Sequence, residues 1–167
     1  MRWAVLCCAL VSAFLVSGAA GAAADGSPRD FVVGGGQHLA FGTGPGVVAV
    51  GISAHSGPAG EAPHGSLTWT NKGEGTQSFH AKVICLIVVG NEAFATGVFT
   101  HPAANQGQIV VLDAVDNGNP HSGVPDLIRF SFEGAIEPVP GQPNCFLPLL
   151  PPVPVTKGNL LVHDATP

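Results

Sequence analysis

The chain has no tyrosine, and its two tryptophans are Trp3 and Trp69. Few flat aromatic faces are therefore on offer for stacking a sugar, which counts against a glycoside hydrolase built on paired acids such as Asp113 and Asp116. Cations are scarce too, with six Lys and Arg against eleven Asp and Glu and a formal net charge of −5. A surface of that sign repels phosphate backbones and anionic headgroups, so nucleic acid and acidic lipid are excluded as partners. Charged residues make up only 10% of the chain while Gly numbers 23 and Pro 15, and no useful length carries a helical period. Many turns and short strands fit that composition better than helices do.

Catalytic signatures are also missing. Gly51-Ile52-Ser53-Ala54-His55 departs from G-x-S-x-G at its last position, and no H-E-x-x-H occurs. Gly34-Gly35-Gly36 is followed by neither Lys-Ser nor Lys-Thr, so it is no phosphate cradle and reads as a sharp bend or bulge between short strands. His121-Ser122 and His163-Asp164 are neighbours in sequence, which says nothing of a triad that must meet in space.

What is present begins with a leader. Arg2 supplies a positive start, Trp3 to Val16 an apolar segment, and Ala22-Ala23-Ala24 a small-residue cleavage site before Asp25. Residues 1–24 are thus expected to be a signal peptide cleaved near Ala24, leaving 25–167 as a single secreted β domain with no membrane insertion. Cys7 and Cys8 fall within the leader. That leaves Cys85 and Cys145, sixty residues apart, an even pair in an exported chain and so a disulfide. The alternative is a small core residue at Cys85 and a free thiol at Cys145.

The centre of the chain is Gln77 to His101. Val83 to Val89 is a run of mostly β-branched residues apolar on both parities, which predicts a strand covered on both faces. Gly90-Asn91 then supplies two residues that tolerate a tight reversal, and Glu92 to Thr100 returns as the second arm. Val47 to His55 alternates, Leu67 and Trp69 share a face of another strand, and Gln108 to Val115 forms one more. From Pro125 to Glu133, Ile128, Phe130 and Phe132 point inward and Arg129, Ser131 and Glu133 outward. Pro138 to Pro154 holds seven prolines, yet also Cys145, Phe146, Leu147, Leu149 and Leu150. Residues 138–157 are therefore expected to be an extended, polyproline-like strap laid over the body and pinned by the disulfide, with 158–164 as a last strand. The fold class that follows is all-β, a single antiparallel β-sandwich or closed β-barrel of about eight or nine short strands.

One polar constellation stands out. Asp113, Asp116, Asn117 and Asn119, continuing to Asp126, gather carboxylate and amide oxygens around Gly118, the donor type a calcium ion takes. The spacing is not that of an EF-hand, and Asp-Asn-Gly is also a common way to turn a chain. Seven histidines are scattered through the sequence, at His38, His55, His64, His80, His101, His121 and His163, without the close pairing of a zinc motif.

Taken together, GGG, SLTWTN, KVICLIVVGNEA, DAVDNGNP with PDLIRFSF and the closing GNLLVHDA resemble a group of small secreted actinobacterial proteins of repetin type. The resemblance spans roughly Gly34 to Ala165 and implies an all-β exported domain without established activity, lending no catalytic residues. Members often carry an acidic residue after D-N-G, where this chain has Asn119 and a longer His121-Ser122-Gly123 insertion, a departure that weakens a cation site. The expectation for function is a non-catalytic exported β domain with a binding or structural role at or outside the cell surface and an unknown extracellular partner. The alternatives are a calcium-binding module on the Asp113–Asp126 loop and a small secreted hydrolase.

Overall fold

The computed structural model describes residues 28–39, 46–72, 76–118, 122–132 and 135–165. The expected leader, Asn119 and His121 lie outside the described residues. Eleven strands are present among them: β1 Asp30–Leu39, β2 Val47–Ser56, β3 His64–Asn71, β4 Gln77–Val89, β5 Glu92–His101, β6 Ile109–Val115, β7 Leu127–Phe132, β8 Ile136–Pro138, β9 Phe146–Pro148, β10 Val153–Pro154 and β11 Lys157–His163. Nine form one curled antiparallel sheet, a half-barrel, in the order β10-β7-β6-β5-β4-β3-β2-β1-β11, and β8 pairs β9 in a small second sheet. Its outermost strands, β10 and β11, are separated in the chain by only Val155 and Thr156. Val155 N–H donates to the carbonyl of Asp126 at 2.9 Å and Thr156 N–H to that of Gln37 at 2.7 Å, so this short crossing is tied to both sides.

The central hairpin forms as its residue types dictate. Val89 pairs with Glu92 across Gly90-Asn91, and Gly90 takes φ +61°, open to glycine at no steric cost. Within β4 the register shifts between Val83 and Cys85, an extra residue at Ile84. That bulge resets the side-chain alternation. Val83 and Leu86 both reach the concave core, while Cys85 turns to the opposite face. The core collects Val50 and Ile52 of β2, Leu67 of β3, Ala95 of β5, Leu112 of β6, Ile128 of β7 and Leu160 of β11. Toward one end Trp69 stacks with Phe79 at 4.9 Å and lies 5.2 Å from Phe132, closing that side of the core with rings.

The three glycines do not break the chain. They lie within β1, paired to β2 on one side and β11 on the other. Gly34 holds φ +130°, and a Cβ there would strike the carbonyl oxygen of Asn159 in β11. Only glycine lets the backbone take that conformation at so close an approach. The glycine run is therefore a strand built for tight pairing and not a bend between short strands.

The proline-rich segment does lie over the body, held by a disulfide between Cys85 and Cys145 with a Cα–Cα separation of 5.4 Å. It is more regular than a polyproline strap, since it contains β8, β9 and β10, each with a proline as its last residue. β9 packs over β5, β6 and β7. Beneath this layer Cys85, Thr96, Val111 and Ser131 form a cross-strand row that is 3% exposed at most. Ser131 thus points away from the core, as its parity predicts, yet meets the strap and not solvent.

Candidate functional site

Asp116 and Asp126 flank the turn between β6 and β7, and their side chains face β11. Asp126 Oδ1 accepts the N–H of Asn117 at 2.9 Å, and its Oδ2 accepts the N–H of Leu160 at 2.8 Å. Asp116 Oδ1 accepts the N–H of Gly118 at 2.7 Å, and its Oδ2 accepts the N–H of Val162 at 3.2 Å. All four carboxylate oxygens therefore hold main-chain donors. Leu160 and Val162 sit two apart on β11, so these donors lie along one edge of that strand. Asp116 and Asp126 occupy the acceptor positions a neighbouring strand would otherwise fill, which satisfies the edge and keeps it from pairing with another chain.

The same end of the molecule gathers the central turn. Asn91 and Asp116 bond reciprocally, Asn91 Nδ2 donating to the Asp116 carbonyl at 2.9 Å and Asp116 N–H to the Asn91 carbonyl at 2.9 Å. Gly90 N–H donates to Asp164 Oδ2 at 2.7 Å, and Ala165 N–H donates to Asp30 Oδ1 at 2.8 Å. Asn117 Nδ2 reaches the Pro125 carbonyl at 2.7 Å. Carboxylates thus tie the last strand to the β6–β7 turn, to the central hairpin and to the start of β1. Such charge-assisted bonds are about twice as strong as neutral ones.

Asp113 is not with them. It lies on β6 opposite Arg129 of β7, on the face beneath the strap, and is 0% exposed. Arg129 Nε donates to Asp113 Oδ2, its Nη2 lies 3.4 Å from Glu92 Oε1, and its Nη1 donates to the Leu150 carbonyl at 3.3 Å. One arginine thus joins β5, β6 and the strap. Burial pushes the Asp113 carboxyl up to about 6, against the pull of Arg129, and Glu92 adds to the rise. Asp113 Oδ1 and Ser131 Oγ are buried without a hydrogen-bond partner.

Of the five oxygen donors expected around a cation, the fold brings Asp116, Asn117 and Asp126 together and sends Asp113 elsewhere; Asn119 lies outside the described residues. Calcium takes six to eight oxygens. The two carboxylates that remain already accept two N–H groups each. Among the described residues no three His, Cys, Asp or Glu side chains are grouped so as to hold a metal ion. Asp30, Asp164 and Arg129 had no visible role in the sequence, because their partners lie far along the chain and no local pattern marks them.

The histidines are less scattered in space than in sequence. His55 lies opposite His64 across β2 and β3, and His80 opposite His101 across β4 and β5. His163 lies opposite Phe31, the rings 4.9 Å apart. A crevice beside the carboxylate clamp is lined by Val124, Pro125, Asp126, Thr156 and Lys157. No helix among the described residues is long and apolar enough to cross a membrane.

No family model matches the chain, and neither a curated protein nor a solved structure matches it. The likeness to secreted actinobacterial domains is carried by the quoted motifs alone.

Proposed function

We propose that the chain is a non-catalytic, exported β domain with a binding or structural role at or outside the cell surface. The observation that carries this is how the acids of the polar loop are used: both oxygens of Asp116 and of Asp126 accept main-chain N–H groups. Groups engaged in this way fix a strand and are poorly placed to attack a substrate or move its protons. The Cys85–Cys145 disulfide supports export, since such bonds persist in oxidising compartments. We read the half-barrel as a barrel closed by the strap, because β10 and β11 lie on opposite edges and are two residues apart.

The test is expression with the native N-terminus, followed by mass spectrometry of culture fluid, envelope and cytosol. The reading expects a protein beginning near Asp25, disulfide intact, in the fluid or on the envelope. Recovery of the full-length, reduced chain from the cytosol overturns it. Binding of the purified domain to isolated envelopes then separates a surface role from a freely secreted one.

A further inference from the structure

We propose that His55 and His64 together bind a late first-row divalent metal ion, copper(II) above all, with water in the remaining positions. The two residues are direct cross-strand partners on β2 and β3. Side chains at such positions have Cβ atoms about 4.5–5.5 Å apart. Their rings stack with centroids 5.4 Å apart and planes 20° from parallel. With metal–nitrogen bonds of about 2.0–2.1 Å, two imidazoles on one ion hold their ring centres roughly 4.5 to 5 Å apart. Rotation about χ1 and χ2 of each side chain turns the stacked faces so that one nitrogen of each ring converges on the ion.

The ring nitrogens are disposed for it. His64 Nδ1 lies 3.1 Å from the carbonyl of Ala62, which can only accept, so Nδ1 carries the proton and Nε2 keeps its lone pair. His64 is exposed, so that nitrogen faces solvent. On the other side of the pair, Phe31 sits 6.0 Å from His55 and limits where that ring can go.

The choice of metal follows from the ligand count. With no group of three His, Cys, Asp or Glu among the described residues able to hold a metal, the pair supplies two nitrogens and leaves the other positions to water. That suits a tetragonal ion with an affinity for imidazole, and copper(II) heads the divalent series for nitrogen ligands. His80 and His101 are also cross-strand partners, but their rings meet edge-on at 64° and 5.8 Å, so they serve as a matched comparison.

The experiment titrates the purified, disulfide-bonded protein with copper(II) by calorimetry and records electron paramagnetic resonance at one equivalent. The variants are His55→Asn, His64→Asn and His101→Asn, each checked for folding by a thermal melt. The expected result is loss of one bound copper, or a fall in its affinity on the order of tenfold or more, in either of the first two, with the spectrum changing from two coordinated nitrogens to one. His101→Asn should match the parent. Copper binding unchanged in both His55→Asn and His64→Asn, loss that follows His101 instead, or no binding by the parent overturns the proposal. Should His55→Asn fail to fold, His64→Asn decides alone, because its side chain is exposed and makes no core contact.

Discussion

Asp126 and Leu160 lie thirty-four residues apart in the chain and are joined by a buried 2.8 Å bond from the Leu160 N–H to Asp126 Oδ2. Through it, the polar loop between β6 and β7 anchors the last strand. Asp126→Ala leaves that donor and the N–H of Asn117 without their acceptor. Each orphaned donor costs about 1–3 kcal/mol, so destabilisation of about 2–6 kcal/mol is expected in urea unfolding. Hydrogen exchange should quicken at Leu160 before it does at Leu67 in the core, because the strand edge opens first.

Asp113 gives the protein a pH dependence of defined sign. Its carboxyl is raised to about 6 by burial. Between the usual carboxylate value near 4 and about 6, the native state therefore binds a proton that the unfolded chain lacks. The stabilisation from this group is fully present below about 4 and is lost as pH rises through about 6. Asp30, also raised by burial, acts in the same direction. From pH 4 to 7 the stability of the parent should fall relative to that of Asp113→Asn, by an amount on the order of 3 kcal/mol read from urea midpoints. A parent that gains on the variant over this range would contradict the assignment.

The disulfide closes a sixty-residue separation. On the chain-entropy account, replacing both cysteines by Ala costs roughly 4 kcal/mol. The loss should concentrate in the strap, where Phe146 N–H to Thr96 Oγ1 at 3.1 Å and Arg129 to the Leu150 carbonyl would remain. Limited proteolysis is expected to cut between β8 and β9 in the variant before the nine-stranded sheet is touched.

Gly34→Ala tests the tight pairing of β1 with β11. The new Cβ would meet the Asn159 carbonyl in a backbone at φ +130°. Such strain costs about 1–3 kcal/mol before the clash is counted. Gly51→Ala is the comparison: its Cβ would meet Thr68 Oγ1, which would give up its hydrogen bond to the Gly51 carbonyl, so a loss of about 1 kcal/mol is expected. Equal thermal midpoints for the two variants would contradict the close approach.

Much of the fold was legible in residue type and local spacing. The Gly90-Asn91 hairpin, the inward set Val48, Val50, Ile52 and Ala54, the strap and the Cys85–Cys145 bond all follow from short-range pattern or from the even pair of cysteines left outside the expected leader. The glycines of β1 were misread as a bend because their reason lies in β11, more than a hundred residues on. The outward set of β7 was legible only as outward, because alternation reports which side a residue takes and not what covers that side; Ser131 is 0% exposed. The polar loop was the hardest part. A carboxylate ready for a cation and one ready for an N–H have the same sequence, and the donors at Leu160 and Val162 come from a distant strand.

The central proposal is that Asp116 and Asp126, whose oxygens accept main-chain N–H groups, serve β11 and not a cation, and it is tested most directly by thermal melts of the disulfide-bonded protein in EDTA and across a calcium series. The account predicts the same midpoint throughout, with Asp126→Asn lowering it equally in EDTA and in calcium. A native-state ligand at a hundred times its dissociation constant adds about 2.7 kcal/mol, enough to move the midpoint by several degrees. A calcium-dependent rise of that size, abolished by Asp116→Ala, would contradict the clamp and make the loop a metal site.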